Sequence, residues 1–309
     1  MGIGKGFFVY SQKHQNLENS LAPNYFFHYL CLNTMLDTIT SSHIPTNQNT
    51  NVPALGLGVW KSKPKECYAA VEAALRFGYR HIDSAAIYGN ESSVGEAIRD
   101  SGIPRSDVFV VTKLWNADQG YKEALAAMDR SLEKLGMDYV DMYLIHFPVT
   151  GKRLDSWKAL EKIKESGKAK SIGVSNFMVS HLEELIKETS ILPAMNQVEF
   201  HPFLNDTKLF DYCRSKGILL EAYSPLAHGK KLEDPKVTAM AEKYGKTNAQ
   251  ILIRWSLQKG NVVIPKSVNP NRIAENGTVF DFSISEADMK EMDSWNENYR
   301  TCWDPSDVL

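Results

Sequence analysis

Residues 108–146, VFVVTKLWNADQGYKEALAAMDRSLEKLGMDYVDMYLIH, decide the fold. Two apolar runs, VFVVTK (108–113) and VDMYLIH (140–146), flank a stretch in which Leu125, Met128, Leu132 and Leu135 recur at helical spacing. Such continuous apolar runs read as strands buried on both faces, as helices on the outside require. Strands joined by a crossover of a dozen or more residues are parallel.

The same rhythm continues on either side. ALGLGV (54–59), HID (81–83), AKSIGV (169–174), AMNQVEF (194–200), LLEAYS (219–224) and VVIP (262–265) are further strand candidates, and Ala69, Val71, Ala74 and Leu75 mark another helix. Eight βα units in about 230 residues fit a (β/α)8 TIM barrel. An open Rossmann-like sheet is the alternative, but its G-x-G-x-x-G turn is missing: Gly56 and Gly58 lead to Lys61 where the third glycine belongs. The barrel is therefore expected over residues 51–309. Residues 1–50, with Asn, Gln, Ser and Thr clusters and no sustained period, read as a poorly ordered extension, and Met35 as the start of the functional protein.

Composition narrows the class of function. At 43% hydrophobic and 23% charged, the chain can bury a sizeable core and is not disordered throughout. The 35 Lys and Arg against 37 Asp and Glu make no basic field, which argues against nucleic acid. Cys31, Cys67, Cys213 and Cys302 are scattered, as in a chain kept in a reducing cytoplasm. The three N-x-S/T sequons, at Asn90, Asn205 and Asn276, read as chance. The most apolar run, FFHYLCLNTML (26–36), falls short of the roughly 18 residues of a membrane span, so no membrane association is expected.

A barrel keeps its active site where its strands end at the C-terminal face. Those ends are polar here: Asp83, Lys113, His146, Ser175 and Asn176, Gln197, Tyr223 and Ser224, Lys266 and Ser267. A lone lysine is most simply a surface residue with a buried stem. At a barrel mouth, however, Lys113 needs a counter-charge, and Asp83 can supply one. Tyr88, just beyond Asp83, is the candidate acid, because a nearby ammonium favours the phenolate and lowers a phenol pKa of about 10. His146 is placed to hydrogen-bond the same substrate oxygen. Two other chemistries compete. A metal would use His81, His146 and His201 with Asp83, without any metal-binding spacing, and a Schiff-base enzyme would use Lys113 as nucleophile.

The last motif, IPKSVNPNRIAEN (264–276), puts Lys266, Ser267 and Arg272 around a Pro-opened helix. A cationic helix N-terminus suits phosphate, and barrels commonly bind phosphate near strands 7 and 8; a solvated eighth helix explains the residues equally well.

Taken in order, HIDSAAIYGNE (81–91), KLWN at Lys113, YLIHFP at His146, GVSNF at Ser175, NQVEFHP, EAYSPL and IPKSVNPNRIAEN resemble the signatures of the aldo-keto reductase family from about residue 52 to residue 304. The resemblance implies a carbonyl reductase in which NADPH gives hydride to an aldehyde or ketone. It makes Tyr88 the general acid, Asp83 and Lys113 its tuning partners, and His146 the substrate-orienting residue. It further implies that Ser175, Asn176 and Gln197 bind the nicotinamide amide, that Tyr223 stacks on its ring, and that Ser224 and Leu226 approach the pyrophosphate. Lys266, Ser267 and Arg272 would take the 2′-phosphate, with Glu275 and Asn276 near adenine. Trp60, Tyr88, Trp115, His146 and Phe147, with Trp303, would form an aromatic substrate pocket in a monomeric enzyme.

The chain also departs from the family pattern. Val59 precedes Trp60 where Thr is frequent, Phe147 replaces a tryptophan common in mammalian members, and Gly277 stands where a large apolar residue is frequent. The loops WNADQGYKEA (115–124) and SPLAHGKKLEDP (224–235) resemble those of microbial short-loop members, among them prostaglandin F synthase-like and 2,5-diketogluconate reductase-like enzymes.

Overall fold

A computed structural model describes residues 42–309. The expected disorder of residues 1–41, the start at Met35 and the apolar run 26–36 lie outside the described residues.

Eight strands form one parallel sheet in consecutive order. They are β3 (Leu57–Gly58), β4 (His81–Asp83), β5 (Phe109–Leu114), β6 (Val140–Ile145), β7 (Ala169–Ser175), β8 (Met195–Glu199), β9 (Leu219–Tyr223) and β10 (Val262–Ile264). Single parallel bridges, Leu55 to Val263 and Gly58 to Lys266, join the first strand to the last. The expected TIM barrel is what forms. Only two residues of the 54–59 run are regular strand, because its second neighbour is met through isolated bridges.

Helices cover the outside: α1 (Pro64–Phe77), α2 (Glu91–Asp100), α3 (Tyr121–Leu135), α4 (Arg153–Glu165), α5 (Val179–Glu188), α6 (Thr207–Ser215), α7 (Pro235–Tyr244), α8 (Asn248–Gln258), α9 (Pro270–Gly277) and α10 (Glu286–Asp293). Their boundaries follow local chemistry. Pro64 opens α1 at a position whose N–H would lack an intrahelical partner, and Gly78 closes it at φ 108°. Thr247 and Gln250 cap the start of α8 reciprocally. Gly277 is explained by a close approach: a Cβ there would stand 2.7 Å from the Phe77 ring, so the missing side chain lets α9 pack on α1.

Two apolar clusters result. The larger lies between strands and helices, and the smaller fills the barrel with Phe109, Val111, Met142, Leu144, Met195 and Val262. Val52 completes the inner cluster from β2 (Asn51–Pro53), which pairs antiparallel with β1 (His43–Pro45). In the turn of this hairpin, Gln48 Nε2 donates to the carbonyls of Ile172 (3.0 Å) and Leu192 (2.8 Å), and its Oε1 accepts from Ile172 N (3.1 Å). The hairpin thus closes the floor, and a boundary between residues 50 and 51 would cut through it. The polar composition of 43–50 concealed this, because these residues bond to backbone at the barrel rim rather than forming an apolar face. All three sequon asparagines are buried, Asn90 at 1%, Asn205 at 2% and Asn276 at 4% exposure, where no glycan can attach.

Candidate active site

Strand ends from across the barrel meet at its C-terminal mouth. Lys113, at the end of β5, has no exposed surface, and a buried ammonium requires partners. Its Nζ donates to Asp83 Oδ1 at 2.6 Å, to the Ser84 carbonyl at 2.8 Å and to the Tyr88 hydroxyl at 3.5 Å. With three oxygens on three hydrogens, Lys113 lacks the free amine that a Schiff-base nucleophile must present. Gln197, on β8, holds the other Asp83 oxygen, donating from Nε2 to Oδ2 at 2.8 Å.

Tyr88 ends the short turn Ala86–Tyr88 after β4, and Gly89 at φ 68° reverses the chain. Asn90 pins the reversal: its Nδ2 donates to the carbonyls of Val59 (2.9 Å) and Ser62 (3.2 Å), and its Oδ1 accepts from Ser84 (3.0 Å). His146 follows β6, its ring meeting Tyr88 edge-on at 5.7 Å and Trp115 at 5.3 Å. The histidines do not converge as a metal site would need. His81 faces Glu221 at 3.4 Å and His201 faces Glu199 at 3.3 Å, while His146 faces the aromatic rings.

Burial sets the protonation states. Burial, and after it the Lys113 ammonium, holds the His146 imidazole well below its ordinary value, so the ring is neutral near pH 7. The expectation for Tyr88 is overturned. Burial, and after it the Asp83 carboxylate, pushes its phenol well above the ordinary value, although Lys113 is in reach. The ammonium already faces Asp83 at 2.6 Å, so the phenol meets an ion pair rather than a free cation. Tyr88 therefore keeps its proton at rest.

The depressed value at His146 has a sign for stability. The unfolded chain binds a proton there at a higher pH than the folded one, so this stability is present above the ordinary histidine value and is lost as pH falls below it. We expect His146→Gln to show a smaller drop in melting temperature between about pH 7 and pH 5 than the parent protein. Equal drops would show that His146 does not titrate in this window.

A second set of residues adjoins the first. Asn176, in the left-handed region at φ 64°, donates from Nδ2 to the His146 carbonyl (2.9 Å) and to Ser175 Oγ (3.0 Å), and its Oδ1 accepts from the Tyr223 hydroxyl (2.8 Å). Ser175 Oγ donates to the Gln197 carbonyl at 2.9 Å. Ser175, Asn176, Gln197 and Tyr223 thus form one hydrogen-bonded arc beside His146. After β9 the backbone turns through positive φ at Ser224, Ala227 and His228, and Leu226 packs against the core.

The end of β10 leads into α9. Lys266 and Arg272 are exposed and paired with no acidic group among the described residues, as a site for an anion requires. The backbone half of the expected phosphate site is occupied: Asn269 Oδ1 already accepts from the N–H groups of Asn271 (2.9 Å) and Arg272 (3.2 Å). Ser267 shapes the turn by accepting from Asn269 N at 3.1 Å. What this turn leaves free for an anion is the two cationic side chains. Glu275 accepts from Thr247 at 2.8 Å, and Asn276 is buried.

The aromatic residues line up around the mouth. Trp115 packs on Trp303 at 5.7 Å, Phe147 on Trp303 at 6.3 Å, and Trp60 stacks on His228 at 5.3 Å. Sequence reasoning missed the Ser84 carbonyl on Lys113, and also Cys302, whose Sγ is 3.4 Å from His228 Nε2 and 3.6 Å from Ser224 Oγ. A backbone carbonyl leaves no trace in sequence, and a C-terminal cysteine does not show where its segment returns.

The sequence model of the Aldo/keto reductase family matches residues 54–297. An aldo-keto reductase of Mycolicibacterium smegmatis is 51% identical over 267 residues, covering 86% of this chain and 97% of that protein. The glyoxal reductase of Bacillus subtilis is 47% identical over 275 residues, covering 89% of this chain and 100% of that protein. Among solved structures, an aldo/keto reductase from Brucella melitensis superposes with a TM-score of 0.80 at 48% identity, covering 82% of this chain and 99% of that one.

Proposed function

The chain belongs to the aldo-keto reductase family of oxidoreductases, and from that premise we propose that it reduces small aldehydes and ketones to alcohols with NADPH, Tyr88 giving the proton. The observation that carries this reading is the Lys113 ammonium held between Asp83, at 2.6 Å, and the Tyr88 hydroxyl, at 3.5 Å. A glyoxal reductase among the relatives supports small carbonyl compounds, dicarbonyls included, as the substrate class.

NADPH, when bound, supplies the hydride. The arc of Ser175, Asn176 and Gln197 fits a carboxamide, because a Gln197 whose Nε2 faces carboxylates presents its oxygen to a donor. Tyr223, whose hydroxyl joins that arc at Asn176, would stack on the nicotinamide ring, and Ser224 and Leu226 would hold the pyrophosphate. Lys266 and Arg272 would hold the 2′-phosphate through side-chain charge, with the Ser267 hydroxyl beside them, and Glu275 and Asn276 would serve the adenine end.

The chain's own groups handle the oxygen. Neutral His146 and the Tyr88 hydroxyl bind the carbonyl oxygen and fix its position. As negative charge grows on that oxygen it becomes basic enough to take the Tyr88 proton. Lys113 faces the phenolate left behind, and Asp83 keeps Lys113 in place. Trp60, Trp115 and Phe147, with Trp303, provide apolar walls that accept varied side groups and keep water from the proton transfer. The reading extends to a cytoplasmic monomer.

The test is loss of NADPH absorbance with a panel of small aldehydes, ketones and glyoxal, run beside NADH. Turnover is expected with NADPH, and Lys266→Ala/Arg272→Ala is expected to raise KM for NADPH about tenfold or more while leaving NADH little changed. Oxidation of neither cofactor would overturn the reductase reading, and an equal effect on both would overturn the phosphate reading.

A further inference from the structure

Beneath the site a file of buried polar groups runs along the barrel axis, and the proposed reaction leaves part of it unexplained. Gln197 Nε2 donates to Asp83 Oδ2 at 2.8 Å and to Glu221 Oε2, on β9, at 2.6 Å. Both its hydrogens are thereby directed at carboxyl groups, which assigns the orientation of the amide. The other Glu221 oxygen, Oε1, lies 3.4 Å from His81 Nε2, on β4. Both of these atoms are buried and neither has a hydrogen-bond donor or acceptor satisfied.

Donor and acceptor chemistry settles what lies between them. His81 Nδ1 is 3.3 Å from the Pro53 carbonyl, which can only accept, so Nδ1 carries a hydrogen. In a neutral imidazole Nε2 is then an acceptor, and it faces a carboxyl oxygen. Two buried acceptors in contact are costly unless a proton joins them. The ring has no space to turn away: a Cβ on Gly56 would stand 2.7 Å from His81 Cγ, and the Phe109 ring packs across it at 5.2 Å.

We propose that one proton, carried on Glu221 Oε1 and donated to His81 Nε2, keeps Glu221 a neutral acid, and that Glu221 is a positioning residue that fixes Gln197 with its oxygen toward the nicotinamide carboxamide. The second half rests on the cofactor reading above. Asp83 and Lys113 act on both members of the pair, Asp141 also acts on His81, and Gln197 donates to Glu221. A charged Glu221 would add a second carboxylate beside Asp83 with one buried ammonium to offset both. Burial raises the Glu221 carboxyl, with Asp83 adding to it, and burial lowers His81 to about 4, both in the direction of a neutral pair. Neutral Glu221 leaves Asp83–Lys113 as the ion pair that the Tyr88 phenolate meets.

Two variants and two readouts test this on the full chain. Glu221→Gln keeps an acceptor for Gln197 and places an N–H toward His81, whereas Glu221→Leu removes both. NADPH Kd, read by quenching of protein fluorescence, is expected to stay within about twofold in Glu221→Gln and to weaken about tenfold in Glu221→Leu, the loss of an anchored hydrogen bond, with the aldehyde KM unchanged in both. Infrared difference spectra of the unliganded protein, parent minus Glu221→Gln, are expected to show the C=O stretch of a protonated carboxyl. Carboxylate bands in its place would overturn the neutral Glu221. Equal weakening in both variants, or none in Glu221→Leu with its melting transition intact, would overturn the positioning role. A parent that binds no NADPH would overturn the cofactor reading instead, and the infrared result would still report the proton.

Discussion

Tyr88→Phe is expected to lower kcat about 10³-fold with every aldehyde of the panel, the size of effect a positioned general acid contributes, while NADPH Kd stays within about twofold. The substitution is narrow. It keeps the ring that packs edge-on against His146 at 5.7 Å and removes one oxygen, whose protein contact is Lys113 at 3.5 Å. Lys113 retains Asp83 and the Ser84 carbonyl, so the fold should hardly respond. The loss should fall on kcat rather than on KM, because the proton moves only after charge develops on the substrate oxygen. Steady-state kinetics at saturating NADPH decide it: turnover within about tenfold of the parent would mean that another group, or water, gives the proton. A parent that binds NADPH and turns over nothing would instead fit a barrel serving as a cofactor-sensing subunit.

How far such roles could be read from sequence depends on the kind of signal each residue leaves. The strands were legible because parallel strands under helices are continuously apolar, and seven of the eight runs correspond to strands to within about a residue at each end. Asp83, Lys113 and His146 were legible because a polar residue closing such a run points to the barrel mouth. The floor hairpin was not. Its anchor is Gln48, whose partners are the backbone of Ile172 and the carbonyl of Leu192, contacts that no apolar period announces. Glu221 was also missed, since within LLEAYS one acid looks like an outward-facing strand residue, whereas it is fully buried against Gln197 and His81. The direction of the Tyr88 shift failed for a related reason. Sequence supplied the Lys113 cation and its Asp83 partner, but only geometry shows that the partner neutralises the cation and that burial then prevails.

Lys113→Met separates the structural from the chemical share of that ion pair. Methionine fills much of the buried stem but removes the ammonium, leaving the Asp83 carboxylate with Gln197 Nε2 as its remaining donor and the Ser84 carbonyl without Lys113. An uncompensated buried charge of this kind costs about 3–5 kcal/mol, so the urea midpoint should fall clearly, and kcat should fall about as far as in Tyr88→Phe. Adding Asp83→Asn removes the stranded charge while keeping a side chain that can still accept from Gln197. Stability of the double variant should therefore recover by about 2 kcal/mol or more over Lys113→Met, because a neutral buried amide costs less than an unpaired carboxylate. Activity should not recover, since no cation faces the developing phenolate. Recovery of both together would make the pair a scaffold and nothing more. A Lys113→Met variant that keeps its turnover would remove the ammonium from the proton transfer altogether.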